Sequence, residues 1–171
     1  VYKLLGGKVK NKIPAYANGW YTVERDPNQF AEAAQKVVDK GYIGMKFDPF
    51  GNGDLELTRK EFHKSMDLID AVASVAGSRA QIMLELHGRF APHQAREIAN
   101  YVEKYEPAWL EEPTRPGDLP ALKSVRDHTR LPIATGERLY GAPEFRELWS
   151  LGCVDVIQPD ITQTGGILEA K

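Results

Sequence analysis

Short, nearly continuous apolar runs alternate along this chain with longer stretches in which apolar residues recur every three or four positions. The first pattern predicts buried strands and the second amphipathic helices. Residues 13–21 read as a first strand, after which Asp26 ahead of Pro27 supplies an N-cap and a proline at the first helical position. Phe30, Ala33, Ala34, Val37 and Val38 mark the buried stripe of that helix, and Gly41 ends it. A strand over 43–47 follows, then a helix that starts near Thr58, where Thr58 and Glu61 form a T-x-x-E capping box, and stops by Gly77. The alternation continues with strands over 81–86, 108–110, 132–135 and 154–158. Helices over 92–104, 119–128 and 143–151 lie between them, and another begins at Gly166.

Six strand-helix units with apolar strands imply parallel strands buried on both faces. Two architectures use them, the (β/α)8 barrel and the doubly wound sheet. The segment after the first strand, YANGWYTVERDP, has neither G-x-G-x-x-G nor G-x-x-x-x-G-K, so the nucleotide-binding sheet loses ground and the barrel is favoured.

The 171 residues are 42% hydrophobic, enough for one well-cored domain. A net charge of −2 gives no electrostatic reason to expect nucleic acid or an anionic membrane as partner, and no apolar run has bilayer length. The N-terminus, VYKLLGGKVK, lacks the order of a secretion signal, and the missing initiator Met points to a natural chain that begins upstream. One cysteine, Cys153, forms no internal disulfide, in keeping with a reducing cytoplasm.

Against this background three glutamates stand out. Glu85, Glu111 and Glu137 follow one another at intervals of 26 residues, and each closes an apolar run: QIMLE, PAWLE and LPIATGE. Acidic residues after strands often only cap the next helix. In a barrel, however, the reactive groups gather at the C-terminal ends of strands roughly 4.8 Å apart, where three carboxylates can converge on one ion. An all-carboxylate set suits a hard divalent cation, Mg2+ above zinc, since no Cys or His cluster has ligand spacing. By two-residue alternation His87 shares a face with Glu85, and Asp48 with Lys46; Gln158, Pro159 and Asp160 close the sixth strand. Singly, Lys46 reads equally as a rim charge, His87 as a helix-entry hydrogen bonder and Asp160 as a cap. Their coincidence on one rim is the argument for function. Arg89 and Tyr140 are further candidates to line the substrate pocket, whereas His63, His93, His128 and the charged stretch 59–64 read as solvated helix faces.

The motifs MKFDPFG, ELHGRF, WLEEP, ATGERLY and VDVIQPDITQTGGI, in that order, resemble the barrel strands of the enolase superfamily, in its mandelate racemase branch, and of its acid-sugar dehydratases. The resemblance implies a (β/α)8 TIM-type barrel. The chain would cover about its first six β-α units, residues 1–12 as a linker and 13–171 as a partial barrel domain, without the capping domain and last strands. It implies Glu85, Glu111 and Glu137 as Mg2+ ligands and His87 as the general acid. Asp160 would orient a catalytic histidine on the next strand, beyond Lys171, while Lys46 would add positive charge near the substrate carboxylate. The implied reaction takes a sugar acid, an aldonate or aldarate, to a 2-keto-3-deoxy acid through an enediolate. It further implies a cytoplasmic homo-oligomer acting on a small molecule.

Departures from the pattern matter as well. Racemases and cycloisomerases of this branch carry K-x-K on the second strand, where this chain has Lys46-Phe47-Asp48. That loss favours a single-base elimination, with Asp48 contacting a substrate hydroxyl or Lys46. Glu85 stands where many relatives have Asp. Epimerisation, cycloisomerisation and a non-catalytic metal-binding fragment are the competing readings.

Overall fold

Asp26 starts the first helix as the sequence requires: its carboxylate accepts from the Asn28 and Gln29 amides at 3.0 and 3.1 Å, satisfying two of the donors that a helix start leaves free. In the computed structural model, which describes residues 1–171, that helix is α1 (Pro27–Asp39). It is followed by α2 (Arg59–Ala76), α3 (Pro92–Val102) with a 3-10 turn at Glu103–Tyr105, α4 (Leu119–Arg126), α5 (Gly141–Ser150) and the short α6 (Ile167–Ala170). Thr58 caps α2 through the Glu61 amide at 3.2 Å. The reciprocal half of the expected capping box does not form, because the Glu61 carboxylate is taken by Arg25 at 2.7 Å.

Between the helices run five strands, β1 (Gly44–Phe47), β2 (Gln81–Glu85), β3 (Leu110–Glu111), β4 (Ile133–Thr135) and β5 (Val156–Ile157), paired in chain order in one parallel sheet. Parallel neighbours joined by helices are the outcome that the alternating pattern dictates. Met45, Phe47, Ile82, Leu84, Leu110 and Ile133 belong to one core with Phe30 and Val37 of α1, Ile69 and Val72 of α2, Ile98 and Val102 of α3, and Val125 of α4. Burying each of these large side chains contributes about 1.5–3 kcal/mol. The alternate strand positions, Lys46, Glu85 and Glu111, point to the opposite face. No helix is long and apolar enough to cross a membrane.

The expected first strand, residues 13–21, is reduced to a single bridge at Ala17, whose N–H donates to Gly44 O and whose carbonyl accepts from Lys46, both at 2.9 Å. Its flanks turn outward instead, leaving Ile13 exposed, while Trp20 packs on Phe47 and donates to Lys46 O at 2.9 Å. The last strand is likewise shorter than its apolar run. Only Val156 and Ile157 pair with β4, and they lie at the sheet edge.

Candidate active site

Register brings the first two glutamates together. Glu85 and Glu111 are direct partners across β2 and β3, so their side chains leave the same face at the same level. The third arrives differently. Glu111 pairs with Ala134, and Glu137 lies three residues beyond it, past the end of β4. Gly136, at φ +132°, turns the chain so that Glu137 comes back over the site. A Cβ at Gly136 would sit 2.8 Å from the Phe145 ring and 3.0 Å from Gln158 N, so the turn requires glycine. Equal sequence spacing therefore coincides with unequal geometry, and ligand oxygens of all three glutamates still lie within 4.8 Å of one another. Glu85 and Glu111 are buried, whereas the Glu137 side chain is 40% exposed.

Lys46 is the cation between the two buried carboxylates. Its Nζ donates to Glu85 Oε2 at 2.8 Å and also to Glu111 Oε1. The other Glu111 oxygen accepts from Trp109 Nε1 at 2.8 Å, and the other Glu85 oxygen from the His87 amide at 2.9 Å. Burial opposes the charge on Lys46, but the hydrogen bonds to Glu111 and Glu85 prevail and hold its ammonium above the usual range. Burial, then the neighbouring Glu111, pushes Glu85 up to about 7. Burial also pulls on Glu111, yet hydrogen bonds from Glu85, Lys46, Gln158 and Trp109 hold it below the ordinary carboxylate value. The two acids are thus shifted in opposite directions, Glu85 up and Glu111 down, as expected of neighbouring carboxylates that titrate as a coupled pair. Lys46 meets the two buried carboxylates and Arg138 lies 3.5 Å from the half-exposed third, and the all-oxygen donor set fits a hard divalent cation.

A second cluster adjoins the first. His87 is not a continuation of β2, since its backbone is left-handed at φ +52° and Gly88 follows at +63°. The turn carries the imidazole to Asp48, with Nδ1 2.8 Å from Oδ2. The same Asp48 oxygen accepts from Arg89 Nη2 at 2.7 Å, and Oδ1 accepts from the Phe50 amide at 2.9 Å. Burial works against the Asp48 charge, but His87, the Phe50 amide and Arg89 outweigh it and hold the carboxyl low. The Asp48 hydrogen bond in turn raises His87 above its ordinary value. Asp48 therefore engages neither Lys46 nor open solvent. Each of the three Arg89 nitrogens makes one bond, Nη2 to Asp48, Nη1 to Gly51 O at 2.6 Å and Nε to Leu86 O at 3.2 Å.

Two candidates stand apart. Asp160 is exposed, and its carboxylate caps its own turn through Thr162 and the Gln163 amide. Tyr140 is 62% exposed and precedes α5, where its amide donates to Glu144 at 2.7 Å. Three participants were not picked out by sequence reasoning. Trp109 reads as strand core, although its position two before Glu111 already assigns it to the same face. Buried Glu112 is clasped by half-exposed Arg138, whose Nε meets both Glu112 oxygens at 3.1 and 2.8 Å while Nη2 lies 3.5 Å from Glu137. Burial nevertheless keeps Glu112 above the usual range despite Arg138.

A family model described as enolase C-terminal domain-like matches residues 29–171. The D-gluconate dehydratase of Thermoproteus tenax is 42% identical over 167 residues, which cover 98% of this chain and 34% of that protein. The D-gluconate/D-galactonate dehydratase of Picrophilus torridus is 36% identical over 171 residues, 100% of this chain and 44% of its own. Among solved structures, a mandelate racemase/muconate lactonizing enzyme from Jannaschia sp. CCS1 superposes with a TM-score of 0.90 at 35% identity, covering 99% of this chain and 46% of that one. The chain thus spans less than half the length of the curated relatives it matches.

Proposed function

The chain belongs to the enolase C-terminal domain-like family, and from that premise we propose that it carries the metal and general-acid half of a sugar-acid dehydratase site. The substrate is an aldonate or aldarate and the product a 2-keto-3-deoxy acid. The observation that carries the reading is the convergence of Glu85, Glu111 and Glu137 within 4.8 Å beside Lys46, with His87 in the turn that follows β2. Three β-strand ends that converge in this way support a (β/α)8 barrel of which these five strands are a part.

In this reading Glu85, Glu111 and Glu137 would hold Mg2+, which when bound would supply positive charge that stabilises the enediolate. Lys46 adds a second positive charge at the substrate carboxylate and so lowers the cost of the enediolate that proton loss generates. His87 gives the proton from Nε2 to the departing C3 hydroxyl, which leaves as water when the C3–O bond breaks. The base that takes the C2 proton is a histidine on a following strand, oriented by Asp160. The pairing of Asp48 with His87 and Arg89 argues against a second base at that position, and so favours elimination over racemisation.

The test is incubation of the full-length protein and Mg2+ with D-gluconate, D-galactonate, D-xylonate and representative aldarates, followed by detection of 2-keto-3-deoxy acid. Product from at least one acid, lost in Glu111→Gln, is the expected outcome. Bound Mg2+ without product from any of them overturns the proposal, and C2 deuterium exchange without loss of water redirects it to epimerisation.

A further inference from the structure

The Asp48 cluster has a geometry that the metal site does not require. One oxygen of Asp48 accepts from two partners, His87 Nδ1 and Arg89 Nη2, while the other is fixed by the Phe50 amide. Arg89 is itself held at three points, by Asp48, Gly51 O and Leu86 O. A guanidinium with its donors so placed is a rigid fork, and it leaves Asp48 no freedom to turn towards a ligand. The His87 ring is 41% exposed, and its other nitrogen, Nε2, has no partner in the protein. A carboxylate that takes Nδ1–H determines which nitrogen remains for chemistry, because an ionised acid accepts and does not donate.

We infer that Asp48, locked by Arg89, is a positioning residue that holds His87 with Nδ1–H inward and Nε2 facing the site. It is not a contact for a substrate hydroxyl. This rests on the assignment of His87 as the proton donor. When Nε2 gives its proton to the leaving hydroxyl, the ring that remains is the Nδ1–H form, the one Asp48 binds. Arg89 acts one step further out, through Asp48, and the left-handed backbone at His87 and Gly88 is what brings the ring over that carboxylate.

Two measurements on the full-length, Mg2+-loaded protein test the inference. In steady-state assays Asp48→Ala should lower kcat about a hundredfold, the scale of a misplaced catalytic group. KM should stay within about twofold, since no substrate contact is removed. Asp48→Asn, which keeps an acceptor oxygen, should recover part of the loss, and Arg89→Met should show a smaller loss in the same direction. A raised KM with unchanged kcat in Asp48→Ala overturns the inference in favour of a substrate contact. The second readout needs no turnover. In 15N-histidine NMR of the neutral ring, the wild type and Asp48→Asn should show His87 as Nδ1–H, and Asp48→Ala or Arg89→Met a shift towards Nε2–H. An Nε2–H ring in the wild type, or the same tautomer in all four proteins, overturns it. Failure of the dehydratase reading would appear separately, as a wild type without turnover whose His87 is still Nδ1–H.

Discussion

Replacing Lys46 by methionine perturbs the carboxylate pair with little change in shape, because the unbranched stem is kept and the ammonium lost. Lys46 is the only cation in contact with Glu85 and Glu111, and the three side chains are 9, 3 and 1% exposed, so water replaces little of what the variant loses. Breaking a buried ion pair by removing one partner costs about 3–5 kcal/mol. A ceiling comes from titration, since a stranded carboxylate can take up a proton. For a group with an unfolded value of 4.5, staying neutral at pH 7.5 costs about 4 kcal/mol, at 1.36 kcal/mol per pH unit. The expected loss is therefore about 3–4 kcal/mol in urea unfolding with EDTA at pH 7.5. Mg2+ at about 100 times its Kd stabilises a binding protein by about 2.7 kcal/mol. It should stabilise Lys46→Met more than the wild type, because no ammonium competes for the same oxygens. A loss below about 1 kcal/mol in EDTA would refute the charge argument, and so would equal stabilisation of the two proteins by Mg2+.

Three further outcomes follow from the same geometry. Because Glu85 is raised from 4.5 to about 7 in the metal-free fold, its neutral form contributes stability that is complete below pH 4.5 and lost as pH rises through 7. In EDTA the wild type should lose about 3 kcal/mol over that window relative to Glu85→Gln; parallel profiles would contradict the assignment. Arg138→Met removes the partner of buried Glu112, and with Arg138 itself half exposed the cost should be about 2–3 kcal/mol, below the full buried-pair value. It should also weaken Mg2+ binding in calorimetry through Glu137, and unchanged affinity would show that Glu137 needs no such support. Gly136→Ala should cost about 1–3 kcal/mol in thermal unfolding, from the left-handed φ and the Phe145 contact; a neutral effect would mean the turn can move.

The helices were legible because their ends are written in side chains: Asp26 and Thr58 cap as the pattern requires, and Gly77 follows α2. Strand extents were not, because an apolar run records burial and not hydrogen bonding. Residues 13–21 therefore read as a strand, where the fold keeps only the Ala17 bridge. The glutamate spacing singled out three residues that the fold does bring together, but for an incomplete reason. Glu85 and Glu111 meet through register, but Glu137 depends on a glycine turn that periodicity does not encode. Asp48 was read along its own strand, towards Lys46, when its partners come from the loop after β2. The Glu112–Arg138 clasp escaped notice because each residue sits beside a more conspicuous glutamate.

Those same loops bear on the proposed cation site. After β2 and β3 the backbone enters the left-handed region at His87 and at Glu112, and it does so again at Gly136, just before Glu137; for the two non-glycine residues this costs of order 1–3 kcal/mol apiece. The strain at the first two turns is held by neighbouring backbone bonds, Gly88 N–H to Glu112 O at 2.8 Å and Glu112 N–H to Ala134 O at 2.9 Å, which tie each to the next segment of the sheet. Rigid turns prevent the three carboxylates from separating to relieve their repulsion, and burial prevents water from screening it. Lys46 offsets part of that charge, and burial together with the neighbouring Glu111 pushes Glu85 up to about 7, so that it holds a proton more readily than a free carboxylate. A divalent cation would remove the need for the proton, which makes cation binding, proton release and fold stability a single linked equilibrium.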